Sequence, residues 1–491
     1  MSLEVDVRST LIHQKKQNPN TVFGVLCIIG SSIMRFMFPS IYSFHTLCIY
    51  QVSYIKHNGG DANVIYTMFY YPVTLLFQSI FGLLAGVVFE KIGLHWSNLI
   101  GTAIFLLAGF IMYISNRFYL DMISEALFGI GVSIMAFPTV INSCRYFMNH
   151  IGLINGIMET AAAIGTTFFT YIGEEIINPD KITSDPLDHL YKVEIANKVK
   201  TFILIQIFTA LGSFIVAEIM TKTYDEKNNE KCSIKFLFRI NEIKSLCRKK
   251  NEPNLIEDGR ENIQSVITRE HSGMSKAESD LDSTQSKKKT RKEKLKMALK
   301  SWKFWKYNLI SLSCNPIGNT IFSLYRSIGE TYQIDQTILQ LMGTLSFILQ
   351  FIFCFIFGIL CDYVNFNVLM FISNILGTIA GIMYYHSLHF SLFFVILNLL
   401  ISIQSAAYNS LKDYHLMKVF GTEIYIDLSG YVYLTVGIVV IILTAMIYSI
   451  ETFIEDKDFA YLVIFPVFGV INFIGVVLGF FIDNKPFDFG E

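Results

Sequence analysis

Two stretches of the chain repeat one pattern and decide the fold. Residues 86–93 read Gly-Val-Val-Phe-Glu-Lys-Ile-Gly, and residues 358–365 read Gly-Ile-Leu-Cys-Asp-Tyr-Val-Asn. In each, a carboxylate follows a glycine by four positions, after a long apolar run. Glycine lets helices approach closely, and the carboxylate can neutralise a neighbouring helix N-terminus or pair with a cation. The repeat predicts two related halves, with gating residues Gly86, Glu90, Lys91, Gly93, Gly358 and Asp362.

Around these stretches the sequence divides into apolar runs of the length that crosses a bilayer core, about 20 residues per helix. Of the 491 residues 52% are hydrophobic and 16% charged, whereas soluble domains carry about 25% charged residues. We therefore predict an all-α membrane protein with twelve transmembrane helices in two six-helix halves. The predicted spans are 22–50, 63–89, 95–113, 119–144, 151–173, 201–220, 305–329, 337–361, 368–385, 390–411, 424–450 and 459–482.

The polar segments predict the domain organisation. We expect an N-terminal tail at 1–21, the first half at 22–220, a partly disordered central loop at 221–302, the second half at 303–482 and a C-terminal tail at 483–491. Residues 221–306 hold 22 of the 39 Lys and Arg. Positively charged loops tend to stay in the cytosol. This predicts a multi-pass protein of the lipid bilayer with its central loop and both termini cytosolic.

Several functional classes are disfavoured. The net charge of −1 gives no sign of a nucleic-acid partner. The phosphate-binding pattern G-x-x-x-x-G-K-[ST] is absent from the sequence, which argues against ATP-driven transport. We see no metal-ligand spacing and no enzyme motif. The sequence therefore predicts a protein that is not an enzyme and needs no cofactor or metal. We also expect it to act as a monomer.

The repeated stretch resembles the cytosolic signature of the major facilitator superfamily, G-x-L-x-D-R-x-G. The first copy matches it at Gly86, Glu90, Lys91 and Gly93, and the second at Gly358, Leu360 and Asp362. Three further stretches are similar to the oxalate/formate antiporter and monocarboxylate porter branch: residues 39–44 (Pro-Ser-Ile-Tyr-Ser-Phe), 145–147 (Arg-Tyr-Phe) and 152–157 (Gly-Leu-Ile-Asn-Gly-Ile). The resemblance implies the major facilitator fold, with a substrate site between the halves and alternating access.

The chain also departs from that branch. The usual cation of span 8 has no counterpart, because residues 337–361 contain no Lys or Arg. Span 11 lacks the cation of oxalate carriers and carries Glu423 and Asp427 instead. Many members of the superfamily have arginine at the position of Glu125. These departures argue against a small dicarboxylate held between two cations.

Ionisable residues inside the spans are the candidates for the site, since each is costly in a membrane. Arg35 lies about halfway along span 1, shortly before Pro39, whose missing amide donor loosens the helix. Guanidinium suits bidentate capture of a carboxylate, and the monocarboxylate porters likewise place a cation in span 1. The alternative for Arg35 is a structural ion pair with Glu159 or Glu125.

The other candidates are divided between substrate and proton. Asp427 is expected to bind substrate or carry a proton, or else to form a salt bridge with Lys412 or Lys418. His45 and Glu159 are further proton candidates, although Glu159 could instead pack against the span 4 turn and His45 could lie near the outer surface. Candidate cavity-lining residues are Tyr42, Tyr71 and Arg326, the last of which could instead reach the membrane interface.

These residues predict a secondary transporter of a small organic anion, a monocarboxylate, working by proton symport or exchange. Arg35 would hold the carboxylate, and Asp427 or Glu159 would carry the proton. The first alternative is an amino-acid carrier, with Arg35 on the α-carboxylate and Asp427 on the amino group. An alternative of another class is a transporter-like receptor or scaffold that no longer cycles.

Overall fold

The computed structural model describes residues 21–182, 184–185, 190–224, 290–454 and 456–489, with some side chains inside these ranges left out. Apolar runs become helices because a helix satisfies its own backbone hydrogen bonds in lipid. Span 1 consists of Thr21–Met37 and Ser40–His57, and spans 2 and 3 form the helix Tyr70–Ile114. Spans 4 to 6 are Phe118–Tyr146, Ile151–Ile177 and Lys198–Met220. Spans 7 to 12 are Trp302–Thr331, Gln336–Tyr363, Phe366–Ser387, Ser391–Phe420, Tyr425–Phe453 and Lys457–Phe480.

The described part of the chain therefore contains the twelve predicted spans in their predicted order. By length and hydropathy, nine of its helices can cross a bilayer, and one of these, Val64–Ile114, includes both span 2 and span 3. Span 1, divided in two, and span 7 fall outside that count. The chain is an integral multi-pass membrane protein. Short helices at Val64–Phe69, Met148–His150, Val193–Ala196 and Arg291–Lys300 lie between the spans.

Span 1 is broken in its middle, at the proline that the sequence singled out. Its first helix ends at Met37 and its second begins at Ser40, with Pro39 at φ −72° and ψ −1°. Proline has no N–H, so it cannot donate to the carbonyl of Arg35 one turn earlier. The break therefore lies beside the main candidate for substrate binding.

Spans 2 and 3 meet at a sharp corner at Gly93. This residue has φ 79° and ψ 176° inside an otherwise helical segment. Such a conformation is open to glycine and strained for other residues. The conformation explains why the last glycine of the stretch 86–93 is needed.

Replacing Gly93 with alanine is expected to lower stability by about 1–3 kcal/mol, because a β-carbon strains this backbone conformation. The measurement is thermal unfolding of the purified protein in detergent. Gly479→Ala is the matched control, since Gly479 is helical and a β-carbon there meets no atom within 4 Å. Equal melting temperatures for the two variants would contradict the prediction.

The most extensive contacts between the two halves are made by two pairs of spans, 2 with 11 and 5 with 8. Each pair has a close glycine contact. A β-carbon on Gly430 would lie 2.8 Å from the backbone of Gly82, and one on Gly358 would lie 2.5 Å from Cα of Gly156. We call the end of the bundle where spans 1 and 7 begin and spans 6 and 12 end the base. The sequence predicts that the base faces the cytosol.

Candidate functional site

A cavity of ≈ 180 Å³ lies between the two halves. We call it the central cavity. Spans 1, 2, 4 and 5 line it from the first half, and spans 8, 10 and 11 line it from the second. Its polar and aromatic lining includes Arg35, His45, Tyr71, Gln78, Glu159, Gln350, Ser405, Asn409, Lys412 and Tyr433. Both halves therefore contribute side chains that a bound molecule could contact.

Arg35 and Glu159 form an ion pair on the cavity wall. Nη1 of Arg35 lies 3.3 Å from Oε1 of Glu159, and the two side chains are 12% and 9% exposed. Nε of Arg35 is buried and makes no hydrogen bond within the part of the chain that the structure describes. Arginine has five N–H donors, so this guanidinium can bind a further acceptor while its charge is balanced by Glu159. Of the two carboxylates suggested by the sequence, Glu159 is the one that pairs with Arg35.

Lys412 brings a second cation to the cavity. The sequence pattern does not predict this residue as part of the site. Its Nζ donates a hydrogen bond to Oδ1 of Asn409 at 3.1 Å and lies 4.9 Å from the ring centroid of Tyr433. The next residue, Asp413, is buried and close enough to interact electrostatically with Lys412, Arg35 and Glu159. The cavity therefore holds charged groups from both halves.

The predicted end of span 10 explains why Lys412 is not among the predicted site residues. The apolar run predicts that the span ends at residue 411, because Lys412 and Asp413 interrupt the run. The helix in fact continues to Phe420, and residues 411–417 are all buried. Apolar residues after Asp413, such as Leu416 and Met417, were the available signal that the helix continues inside the protein.

His45 and Glu125 form a second polar group beside the cavity. Nε2 of His45 lies 3.1 Å from Oε2 of Glu125, and the hydroxyl of Thr74 donates to the same oxygen. His45 also packs edge-on against Tyr71, with ring centroids 5.6 Å apart. Glu125 therefore pairs with His45, and the structure places His45 at the cavity between the halves.

The remaining candidates lie in different places. Asp427 is buried in the first turn of span 11 and is not among the described residues that line the cavity. Tyr71 lines the cavity. The side chains of Tyr42 and Arg326 lie outside the described residues. A role for Asp427 in binding or proton transfer stays a prediction.

The candidate gating residues lie at the base. Both carboxylate oxygens of Asp362 accept backbone hydrogen bonds at the start of span 5, from Gly152 N–H at 3.0 Å and from Leu153 N–H at 2.9 Å. A carboxylate at a helix N-terminus is stabilised by the helix dipole and the free amide donors. Asp362 therefore joins span 8 of the second half to span 5 of the first.

The first copy of the repeated stretch is arranged differently. Gly86 is buried in span 2, whereas Glu90 and Lys91 are exposed near the corner at Gly93. At the base, the Nδ2 group of Asn155 in span 5 also donates to the carbonyl of Ser410 in span 10 at 2.9 Å. Spans 5, 8 and 10 thus hold the two halves together at this end.

Comparison with known proteins identifies the fold. No protein-family model matches the chain, and no curated protein matches it either. Among solved structures, the chain is similar to the proton:xylose symporter XylE bound to 6-bromo-6-deoxy-D-glucose, with TM-score 0.63 and 11% identity, over 95% of this chain and 97% of that one. It is also similar to the E. coli fucose:proton symporter FucP, with TM-score 0.54 and 11% identity, over 94% and 99% of the chains.

At this level of identity the similarity shows the fold alone. The chain has the major facilitator fold, and the predicted all-α architecture of twelve helices in two halves is confirmed. The neighbours do not confirm the oxalate/formate antiporter and monocarboxylate porter branch, and the branch stays a prediction. The site must therefore be interpreted from its own residues.

Proposed function

We propose that this protein is a secondary active transporter of a small organic anion, a monocarboxylate, driven by proton symport. The observation that carries the proposal is the Arg35–Glu159 ion pair on the wall of a cavity shared by the two halves. A fold of two similar halves around a central site is the arrangement used for alternating access. The described chain thus combines a suitable architecture with a charged group for substrate.

Arg35 is the proposed carboxylate site. Its guanidinium lies beside the break in span 1 and retains an unused Nε donor within the described structure. A carboxylate can bind such a donor set in bidentate fashion, which makes the contact both strong and directional. Glu159 keeps the arginine neutralised while the cavity is empty, so the protein avoids an isolated buried charge.

Charge balance favours a proton as the coupling ion. Arg35 is already compensated by Glu159, and Lys412 has Asp413 beside it. A carboxylate substrate would add one uncompensated negative charge to a site of low dielectric, which is costly. Uptake of one proton together with the anion removes that cost. Glu159 and His45, both in the cavity, and Asp427 are the proton candidates from the sequence.

Lys412 is proposed to attract the anion from the second half. Lys412→Met is expected to weaken apparent substrate affinity by about 10–150-fold, because a hydrogen bond to a charged group contributes about 1.5–3 kcal/mol. The measurement is the concentration dependence of uptake into liposomes. Lys418→Met is the control, since Lys418 is an exposed lysine of the same helix that does not line the cavity. Unchanged affinity in the Lys412 variant would remove this residue from the site.

The direct test is uptake by purified protein in liposomes, with and without an inward proton gradient. The panel contains labelled L-lactate, pyruvate, formate, oxalate, amino acids, D-xylose and L-fucose. Proton-stimulated uptake of a monocarboxylate is the expected result. Uptake of a sugar alone would align the protein with the activities named for its two structural neighbours and would contradict the anion proposal.

One observation favours the amino-acid alternative. Arg35 and Glu159 present opposite charges 3.3 Å apart on the cavity wall, which suits the carboxylate and ammonium groups of a zwitterion. Glu159 would then bind the amino group, the role predicted for Asp427 from the sequence. Uptake of amino acids without monocarboxylates in the same assay would establish this alternative. Absence of flux for the whole panel, with a folded protein, would favour a receptor or scaffold.

A further inference from the structure

Glu125 is a carboxyl group in the interior of the first half, two turns after the start of span 4, and its surroundings are unusual. Its side chain is fully buried in span 4. Oε2 receives the hydroxyl hydrogen of Thr74 and lies 3.1 Å from Nε2 of His45, whereas Oε1 is buried with no hydrogen bond in the described part of the chain. A buried carboxylate ion with an unused oxygen is unfavourable unless a proton or a cation accompanies it.

His45 gives this buried group access to the central cavity. The imidazole lines the cavity and contacts Glu125, so it lies between the carboxyl group and the space that substrate would occupy. Histidine can hold a proton near neutral pH and donate it from either ring nitrogen. Nδ1 of His45 is buried, so a proton taken up by the imidazole is shared with Glu125 through the contact at Nε2.

Two titratable neighbours of Glu125, Tyr70 and Asp121, are hydrogen-bonded to each other and do not line the central cavity. Tyr70 of span 2 and Asp121, one turn earlier in span 4, interact with one another, since the Tyr70 hydroxyl donates to Asp121 Oδ2 at 2.5 Å. Gln51 donates to the other oxygen of Asp121 at 3.1 Å. Asp121 is as deeply buried as Glu125, but both its oxygens are hydrogen-bonded and it does not line the cavity.

We propose that Glu125 and His45 together hold the transported proton, separately from the carboxylate site at Arg35. In the empty state the pair shares one proton and is neutral overall. Taking up a second proton from the cavity leaves Glu125 as the neutral acid and His45 as the cation, which balances the charge of one bound carboxylate. Release of that proton on the other side of the membrane restores the empty state. This inference rests on the proposed transport function.

The arrangement separates the proton site from the substrate site. Glu159 is the rival proton carrier, but its protonation would leave Arg35 without its internal counterion. Protonation of the Glu125–His45 pair leaves the Arg35–Glu159 pair intact. The attraction between the bound proton and the anion then acts across the cavity, so each makes binding of the other more favourable.

The first test does not depend on knowing the substrate. Infrared difference spectra of the full-length protein in liposomes are recorded as pH is changed, in H2O and D2O, to detect the C=O stretch of a protonated carboxyl group. The wild type is expected to show a pH-dependent band that Glu125→Gln removes. Asp121→Asn is the matched control, a buried carboxyl group of the same helix, and is expected to keep the band.

Two further variants protect the test against misfolding of Glu125→Gln. Thr74→Val leaves the carboxyl group in place and is expected to move its band to higher frequency, since a hydrogen bond is lost. Glu159→Gln is expected to leave the band unchanged. Asp121 and Asp413 are also buried and can give bands of their own, so the test compares component bands. A Glu125→Gln spectrum that keeps every component of the wild type, or loss of the same component in Glu159→Gln, would overturn the assignment.

The second test measures coupling. Liposomes loaded with a pH-sensitive dye report proton entry when L-lactate or pyruvate is added outside. His45→Gln and Glu125→Gln are expected to lose substrate-driven proton entry, while Asp121→Asn retains it. Proton entry that persists in both variants would refute the proposal. If the wild type shows the carboxyl band but no flux with any substrate of the panel, the proposed function fails while the proton-binding assignment stands.

Discussion

An Arg35→Gln variant is expected to lose substrate uptake by about 100-fold or more. Two charge-assisted hydrogen bonds to a carboxylate contribute about 3–6 kcal/mol together, and each 1.4 kcal/mol is about a factor of ten in affinity. Uptake into liposomes over a range of substrate concentrations measures the effect. An Arg35→Gln protein that folds and transports normally would show that the carboxylate binds elsewhere.

The ion pair with Glu159 complicates this test, because removing one partner of a buried pair costs about 3–5 kcal/mol of stability. The double variant with Arg35→Gln and Glu159→Gln removes both charges and is expected to recover most of the melting temperature. Uptake should stay lost in it, since the carboxylate site is still absent. Arg35→Lys keeps the charge without the bidentate geometry and is expected to fall between the wild type and Arg35→Gln.

Replacing Gly358 with leucine is expected to prevent closure of the base and to reduce transport strongly. A β-carbon at Gly358 would lie 2.5 Å from Cα of Gly156 and 3.0 Å from the carbonyl oxygen of Gly152. These are backbone atoms, so the overlap can be relieved only by moving span 8 away from span 5. Overpacking typically costs about 1–3 kcal/mol, and a cost of that size shifts a two-state equilibrium by about 5–150-fold.

Distances between spin labels at His150 and Tyr363, both exposed at the base, measure the opening. The Gly358→Leu protein is expected to show a longer mean distance than the wild type. Gly212→Leu is the matched control, because Gly212 lies in span 6 and a β-carbon there meets no atom within 4 Å. Identical distance distributions for wild type and Gly358→Leu would show that the glycine contact is not part of the gate.

The architecture could be predicted because the bilayer imposes it locally. Each span must be apolar over a bilayer thickness and helical along its length. The length of an apolar run is therefore enough to predict a span. The stretches 86–93 and 358–365 then indicated the two halves, and the similarity to solved structures confirms the major facilitator fold. The break at Pro39 agrees with the loosening expected from the missing amide donor of proline. The corner at Gly93 was not predicted, although it follows from the backbone freedom of one glycine.

The pairing of ionisable side chains inside the fold could not be predicted from the sequence in the same way. The sequence offered Arg35 two carboxylates, and the structure pairs it with Glu159 and gives Glu125 to His45. The sequence predicts that span 10 ends just before Lys412, because charge normally marks the membrane boundary. Its burial depends on span 10 continuing through the protein interior, where Asn409, Tyr433 and Asp413 surround its charge.

The sequence by itself determined the number and order of the spans, the two-half organisation, and the small set of ionisable residues that lie within the membrane. Only the tertiary structure decided which of these residues meet, which line the central cavity, and that Asp362 caps span 5 across the interface of the halves. The physical reason is the separation along the chain over which each interaction acts. Hydropathy and backbone geometry act within one helix, whereas ion pairs and helix caps join residues such as Gly152 and Asp362 that are far apart in the chain.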